Sequence, residues 1–397
     1  MRAAFVNVGF LGHAAMADAM QDVTRLMPID AAHINLSASL TIRDRAIRRA
    51  LSLRVFPTSG PMANLDRRRW RQELNIGLLA RRRLAAAERG GRFDIVHFHT
   101  QAAAYASLAR MARTPTIVSI DATSRLAAAE MTSPASRRSY DANIAHDRAV
   151  FRRARAIVAT SEWAARDLAD LQPECADRIH VLPYPIRDVF DDRWMEERVT
   201  RSRRTPGPPV RMLFMGGDFA RKGGFDLLDA WRDADFGDRA TLDLATDWPL
   251  AQASLPPGVR IVPGVRVFTS TWFDLWRDAD VFVMPSRSEA FGIVFEEAAA
   301  AGIPAIGTAI NAIPEIIVHD ETGLTVPAGD RGALVNALRT LVGSADLRRR
   351  LGAAARARIR ERAFPAAYAV GLGAVLDRII ARPAAAFETA EGHSDHV

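Results

Sequence analysis

Short apolar runs stopped by glycine, proline or polar residues recur along this chain, separated by longer stretches in which charged and apolar positions mix at helical spacing. In the first half the runs are Ala3 to Val8, Asp94 to Thr100, Pro115 to Ile120, Arg155 to Thr160 and Ile179 to Leu182. In the second half they are Val210 to Met215, Thr241 to Ala245, Val259 to Val262 and Asp280 to Met284. Runs this short, with little alternation, predict strands covered on both faces, as in a parallel sheet. Helices are predicted at Ala14 to Met27, from Phe225, and over Val294 to Ala301, Gly332 to Leu341, Leu347 to Arg362 and Tyr368 to Ala381. The helix ending at Ala301 closes on Gly302 before Pro304, the usual C-terminal punctuation. Strand and helix alternate in both halves, so the pattern predicts α/β architecture: two doubly wound domains facing across a cleft.

A charged and then Pro/Gly-rich stretch, Arg187 to Pro209, marks a linker. The expected organisation is residues 1–190 for the first domain, 191–209 for the linker, 210–364 for the second domain, 365–382 for a last helix and 383–397 for a flexible tail. A length of 397 residues agrees with two cores rather than one. Composition, 49% hydrophobic and 25% charged, is that of a soluble globular chain.

Charge changes the picture in one place. The formal net charge is +7, which raises nucleic acid, an anionic membrane or an anionic substrate as partners. Most arginines alternate with acids, as on solvated helix faces. Arg43 to Arg54, Arg67-Arg68-Arg69-Trp70-Arg71 and Arg81-Arg82-Arg83 are different: they concentrate positive charge, with Trp70, Leu74, Ile76, Leu78 and Leu79 interleaved. Such a segment suits an anionic membrane surface, or a solvated helix whose apolar side faces the core, the simpler expectation. No recognised binding module accompanies it, so specific nucleic acid is not expected. A single cysteine, Cys175, cannot form an internal disulfide, and a reducing cytoplasm is the simplest location, with peripheral attachment at the inner membrane surface as the alternative. No apolar stretch approaches the roughly 20 residues needed to span a bilayer. Met1 onward reads as a strand rather than a signal peptide, because Asn7 and His13 interrupt it.

Most of the candidate chemistry begins where the run Asp280 to Met284 ends. Pro285-Ser286-Arg287-Ser288-Glu289-Ala290-Phe291-Gly292 is a loop, and Gly292 stands at a helix entrance, where unpaired N–H groups can meet a ligand unobstructed. Glu289 and Glu297 flank that entrance. A helix start favours an anion, and two acids add acceptors for hydroxyls. A sugar nucleotide has both needs, although either acid alone is ordinary on a loop or helix face. A second loop, Gly216-Gly217-Asp218-Phe219-Ala220-Arg221-Lys222-Gly223-Gly224, places glycines and two cations before a helix, an arrangement suited to phosphate. It is neither a dinucleotide fingerprint nor a P-loop. Lys222 is the one lysine of the chain. In the first half, His99 and Asp121 end predicted strands, and Gly12 and His13 lie in the turn after the first strand, where open α/β sheets bind ligands. A structural histidine and a capping aspartate account for His99 and Asp121 equally well.

Glu289, seven intervening residues and Glu297, bracketing Phe291-Gly292, resemble the donor-site signature of the retaining glycosyltransferases of family 4, part of glycosyl transferases group 1. Ile313-Pro314-Glu315-Ile316-Ile317 and Gly323-Leu324-Thr325-Val326-Pro327 resemble the continuation of that signature. The resemblance implies a GT-B architecture of two Rossmann-like domains, the first on the acceptor side and the second holding the donor nucleotide, with the last helix crossing back to the first. It implies that Lys222 stabilises the departing diphosphate, that Glu289 and the N–H groups of Phe291, Gly292 and Ile293 hold the sugar, and that Glu297 holds the ribose hydroxyls. Where members of the family commonly carry an arginine this chain has Gly217, so Arg221 substitutes or the charge comes from elsewhere. Where many carry a histidine it has Asp121. Gly12, His13 and His99 fall on the acceptor side. The implied reaction is a metal-independent, retaining transfer from a UDP- or GDP-linked sugar to a hydroxyl of a glycan, lipid or small molecule, without a cofactor. A sugar-nucleotide epimerase or hydrolase on the same fold, and a non-catalytic basic surface-binding protein, are the alternatives.

Overall fold

A computed structural model describes residues 1–9, 13–38, 40–57, 67–131, 133–202 and 209–381. Among them are two parallel six-stranded sheets, each in its own compact unit. One unit comprises Met1–Thr160, Ala164–Leu182 and the chain from Pro365; the other comprises Ser161–Trp163 and Pro183–Phe364.

In the first unit the strands are β1 (Arg2–Asn7), β2 (Asp30–Asn35), β3 (Ile95–His99), β4 (Thr116–Ile120), β5 (Ala156–Ala159) and β6 (Ile179–Val181), in the order β2-β1-β3-β4-β5-β6. β3, β4 and β5 are buried at every residue, as strands between two helical layers should be, although His97, His99, Thr116 and Ser119 interrupt the apolar runs of β3 and β4. β2 was not among the expected strands, because Asp-Ala-Ala-His-Ile-Asn shows neither an apolar run nor strong strand formers. It exists through its partner: it pairs in register with β1 from Arg2↔Asp30 to Asn7↔Asn35, at the sheet edge, with Ile34 its one buried residue.

The helix Pro365–Ala381 belongs to this unit. Tyr368, Leu372, Val375, Leu376 and Ile379 pack with Phe5, Ile95, Ile117 and Val158. Each such side chain taken from water contributes about 1.5–3 kcal/mol. Contrary to expectation, one helical stretch among the described residues, Ala345–Ala381, is long and apolar enough by composition alone to cross a membrane. Core packing accounts for the apolar face of its second part.

The helix Ile42–Leu51 departs from the expectation of an apolar side turned to the core. Its one buried residue is Asp44, whose carboxylate receives the Arg82 guanidinium from the helix Arg68–Ala87.

The second unit contains β7 (Val210–Met215), β8 (Ala240–Ala245), β9 (Val259–Ile261), β10 (Val281–Met284), β11 (Ala305–Thr308) and β12 (Gly323–Val326), ordered β12-β11-β10-β7-β8-β9. The chain winds outward from β7 in one direction and restarts at β10 in the other. The loops after β7 and β10 therefore diverge from neighbouring strand ends, the place where doubly wound sheets hold ligands.

Residues 191–209 are not an irregular linker throughout. Asp192–Ser202 is a helix of the second unit, anchored by buried Trp194, which donates its indole N–H to the Ala301 carbonyl at 3.3 Å and packs on Phe190. High charge hides this helix in the sequence, and Trp194, with the half-buried Met195 beside it, supplies its inner face. Trp272 and Trp276 are fully buried and pack against Phe190 and Phe282, so both are core residues.

Candidate active site

β7 and β10 pair at Met212↔Val281 and Leu213↔Phe282, so the loops that follow leave the same sheet edge side by side. Backbone and side chain join them. The Arg287 N–H donates to the Arg221 carbonyl at 2.9 Å, and the Arg221 guanidinium donates to the Ser288 carbonyl at 2.7 Å. Gly223 makes the approach possible: its φ is +73°, and a Cβ there would lie 1.9 Å from the Pro285 carbonyl oxygen.

Within this junction Lys222 Nζ lies 3.0 Å from Glu289 Oε2, and Arg221 Nη1 lies 3.6 Å from the same oxygen. Lys222 reaches it by running along Gly216, where a Cβ would stand 2.4 Å from Lys222 Cδ. Gly217 is different: a Cβ there would meet nothing within 4 Å, so the site has room at that position and Arg221 supplies a cation from four residues further on. The Lys222 and Glu289 side chains retain 17% and 14% of their exposure, enough to meet a ligand while largely withdrawn from water. The Arg221 guanidinium also donates to Asp218 Oδ2 at 3.2 Å, so two carboxylates, Asp218 and Glu289, share the two cations; with three donors on the ammonium and five on the guanidinium, donors remain for an anion.

The helix Ile293–Ala300 starts from Gly292 at φ +88°, a left-handed cap that an L side chain strains to adopt. Its first N–H groups have no carbonyl within their own helix. Glu297 is buried on it. Burial pushes its carboxyl up to about 7, with the Lys222 charge pulling the other way. Lys222 thus acts on both acids, one by contact and one through its field. Two further residues were not foreseen. Asn311, itself at φ +50°, donates its amide to the Glu289 carbonyl at 3.1 Å and props the loop. Glu296 is also buried, and burial raises its carboxyl well above the usual range against the opposing charge of Arg362. An asparagine tolerant of a left-handed backbone was the available signal for Asn311; nothing local distinguishes Glu296 from Glu297.

In the first unit, β3 and β4 are neighbours, and Gln101 donates its amide to the Ala122 carbonyl at 3.0 Å, tying the loops beyond them. His99 is buried, its ring centroid 4.1 Å from that of His97. His97 contacts Ser119 Oγ at 2.7 Å, and burial lowers its pKa to about 3, so it is neutral. Asp121 is half-buried just past β4. Gly12 lies outside the described residues, as does the side chain of His13, whose backbone begins the helix His13–Arg25. Among the described residues no group of three or more His, Cys, Asp or Glu side chains is arranged to hold a metal ion. Arg221, Lys222, Glu289, Gly292 and Glu297 thus form one cluster in the second unit, and His99 and Asp121 lie at adjacent strand ends in the first.

The family model of glycosyl transferases group 1 matches residues 267–358, a stretch that contains Glu289, Gly292 and Glu297. That of glycosyltransferase family 4 matches residues 45–188, which contain His99 and Asp121. The chain belongs to the group 1 glycosyltransferases. Lys222 falls outside both matched stretches of this glycosyltransferase, and its place beside Glu289 comes from the structure.

A D-inositol 3-phosphate glycosyltransferase of Xylanimonas cellulosilytica is 31% identical over 243 residues, 58% of each chain. One from Jonesia denitrificans is 26% identical over 324 residues, 75% of each chain. The match therefore spans little more than half the length of the first of these relatives. Among solved structures, a sucrose-phosphate synthase from Thermosynechococcus elongatus superposes with a TM-score of 0.72 at 16% identity, covering 96% of this chain and 99% of its own. The Anabaena protein HepE, solved with UDP and glucose, gives 0.67 at 14% identity, covering 95% and 99%. At such identities the likeness concerns the fold, the GT-B arrangement of two Rossmann-like domains.

Proposed function

We propose that this glycosyltransferase takes a sugar from a nucleoside diphosphate donor, UDP- or GDP-linked, and passes it to a hydroxyl acceptor with retention at the anomeric carbon. The observation that carries the reading is the convergence of Lys222, Arg221 and Glu289 at the switch point between β7 and β10, with Glu297 in the field of Lys222. Lys222 and Arg221 face the diphosphate, where negative charge grows as the anomeric C–O bond breaks, so the reading needs no divalent ion. Glu289 and the N–H groups at Phe291, Gly292 and Ile293 orient the sugar, and Glu297 accepts hydrogen bonds from the ribose hydroxyls. The acceptor oxygen bonds to the anomeric carbon on the face the phosphate leaves, and its proton passes to the leaving phosphate oxygen. Asp121, in place of a histidine, accepts a hydrogen bond from a sugar hydroxyl; Gly12, His13 and His99 serve the acceptor side. The acceptor is a hydroxyl of a glycan, lipid or small molecule.

A thermal-shift panel of UDP, GDP, ADP and dTDP with their sugar conjugates tests this. A ligand at one hundred times its Kd stabilises by about 2.7 kcal/mol, so one member of the panel should raise the melting temperature by several degrees. Lys222→Ala should abolish most of that shift. No shift with any member removes the donor reading, and an undiminished shift in the variant removes Lys222 from the site. Donor turnover to an isomer or free sugar at full rate without acceptor would favour the epimerase or hydrolase.

A further inference from the structure

In the segment from Ile42 to Phe56, Ile47 and Leu51 are half-buried, while the four other large apolar side chains face outward. Ile42 is 80% exposed, Leu53 61%, Val55 69% and Phe56 37%, four of the twelve large apolar side chains that are exposed among the described residues. Scattered exposed apolar residues are ordinary, but this concentration is not. Local unfolding does not explain it, because the backbone is pinned. Thr41 and Asp44 form a capping box at the start of the helix Ile42–Leu51. At its end, the Arg68 guanidinium donates to the Ser52 carbonyl and that of Arg71 to the Leu53 carbonyl, each at 2.7 Å.

Charge on the same segment is one-sided. Arg43, Arg45, Arg49 and Arg54 are exposed, and the acid between them, Asp44, is buried and already paired with Arg82. Elsewhere exposed arginines commonly sit beside surface acids, as Arg287 does with Asp226 and Arg331 with Asp233. Nucleic acid would use the guanidinium groups but gives isoleucine and valine nothing to enter. An anionic bilayer meets both halves of the surface: phosphates for the arginines, and the boundary between headgroups and acyl chains for the apolar side chains.

We propose that the segment Ile42 to Phe56 docks this glycosyltransferase on an anionic membrane surface. Arg43, Arg45, Arg49 and Arg54 reach lipid phosphates, and Ile42, Leu53, Val55 and Phe56 enter the interface. The surface is independent of the donor loops, and its test is separate from theirs.

The full chain is sedimented with vesicles of phosphatidylcholine, alone or mixed with one third phosphatidylglycerol. The mixed vesicles should retain the protein, the neutral ones should not, and retention should fall as salt is raised. Arg43→Glu/Arg45→Glu/Arg49→Glu should lower partitioning at least about tenfold. Ile42→Asp/Val55→Asp should do the same with the arginines intact, because stable attachment takes two signals, here charge and apolar insertion together. These positions are exposed, so melting temperatures and any nucleotide-induced shift should match the parent protein. Equal retention on both vesicles, or none, overturns the proposal. So does undiminished binding by the Ile42/Val55 variant, which would reduce the effect to diffuse charge, and so does equally tight binding to a short RNA.

Discussion

Gly223 occupies the point where two loops touch. Gly223→Ala would add strain of about 1–2 kcal/mol at its left-handed φ and a collision with the Pro285 carbonyl, which no side-chain rotation relieves. Denaturant titration should show a loss of at least about 2 kcal/mol, and nucleotide-induced stabilisation should disappear. Gly217→Ala, entering open space, should change stability by no more than about 0.5 kcal/mol. Glu297 makes a prediction in pH. Its carboxyl is raised in the folded chain to about 7 from an ordinary 4.5, so folding favours its protonated form. Its contribution to stability is fully present below 4.5 and lost as pH rises through about 7. A series of melting temperatures across that window should fall less steeply for Glu297→Gln than for the parent. Lys222→Met removes the charge that opposes burial and should carry the parent's decline to higher pH. The loop of residues 216–224 with Arg221 and Lys222 suggested a phosphate site because glycines and cations precede a helix start, whereas Glu289 and Glu297 stood out only through the resemblance of their spacing to a family signature. Asn311 was not legible, since its partner is a carbonyl 22 residues away.

Elements show why part of the fold can be read directly and part cannot. Strands covered on both faces spell themselves as apolar runs: β5 and β10 follow that rule throughout, and β3 and β4 follow it apart from His97, His99, Thr116 and Ser119. β2 does not, because an edge strand of small and polar residues depends on its neighbour's hydrogen bonds. The helix Asp192–Ser202 hides behind its charges, and its place is held by Trp194. Trp194→Ala should therefore cost about 3–5 kcal/mol in denaturant titration, where a true linker residue would cost almost nothing. Least legible is the polar network inside the first unit. Asp147, on the helix Asp141–Arg153, accepts from the Tyr105 hydroxyl at 2.6 Å and from the Ser124 N–H at 2.8 Å, and Asn143 donates to Glu73 at 2.6 Å. Burial lifts the Asp147 carboxyl to about 7. Nothing in the spacing of residues 73, 105, 124, 143 and 147 announces that they meet, because four separate elements bring them together.

At the scale of the molecule, the alternation of strand and helix was enough to expect an α/β chain with parallel sheets, because each crossover requires a helix. The boundaries were less accessible: the second unit takes up the chain at Pro183, and its opening helix lies inside the stretch that looked like a connector. The first unit is completed by Pro365–Ala381, so a chain ending at Phe364 should leave Phe5, Ile95, Ile117 and Val158 without their cover. Hydrogen exchange should then accelerate by at least about a hundredfold in β1, β3, β4 and β5 while β7 to β12 keep their protection. That arrangement also constrains synthesis. A ribosome delivers almost all of the second unit as one uninterrupted segment, so that unit can mature while the peptide is still attached. The amino-terminal sheet must wait for Pro365–Ala381, which is made only after the whole of Pro183–Phe364, and until that helix emerges it offers chaperones and proteases an unfinished apolar face.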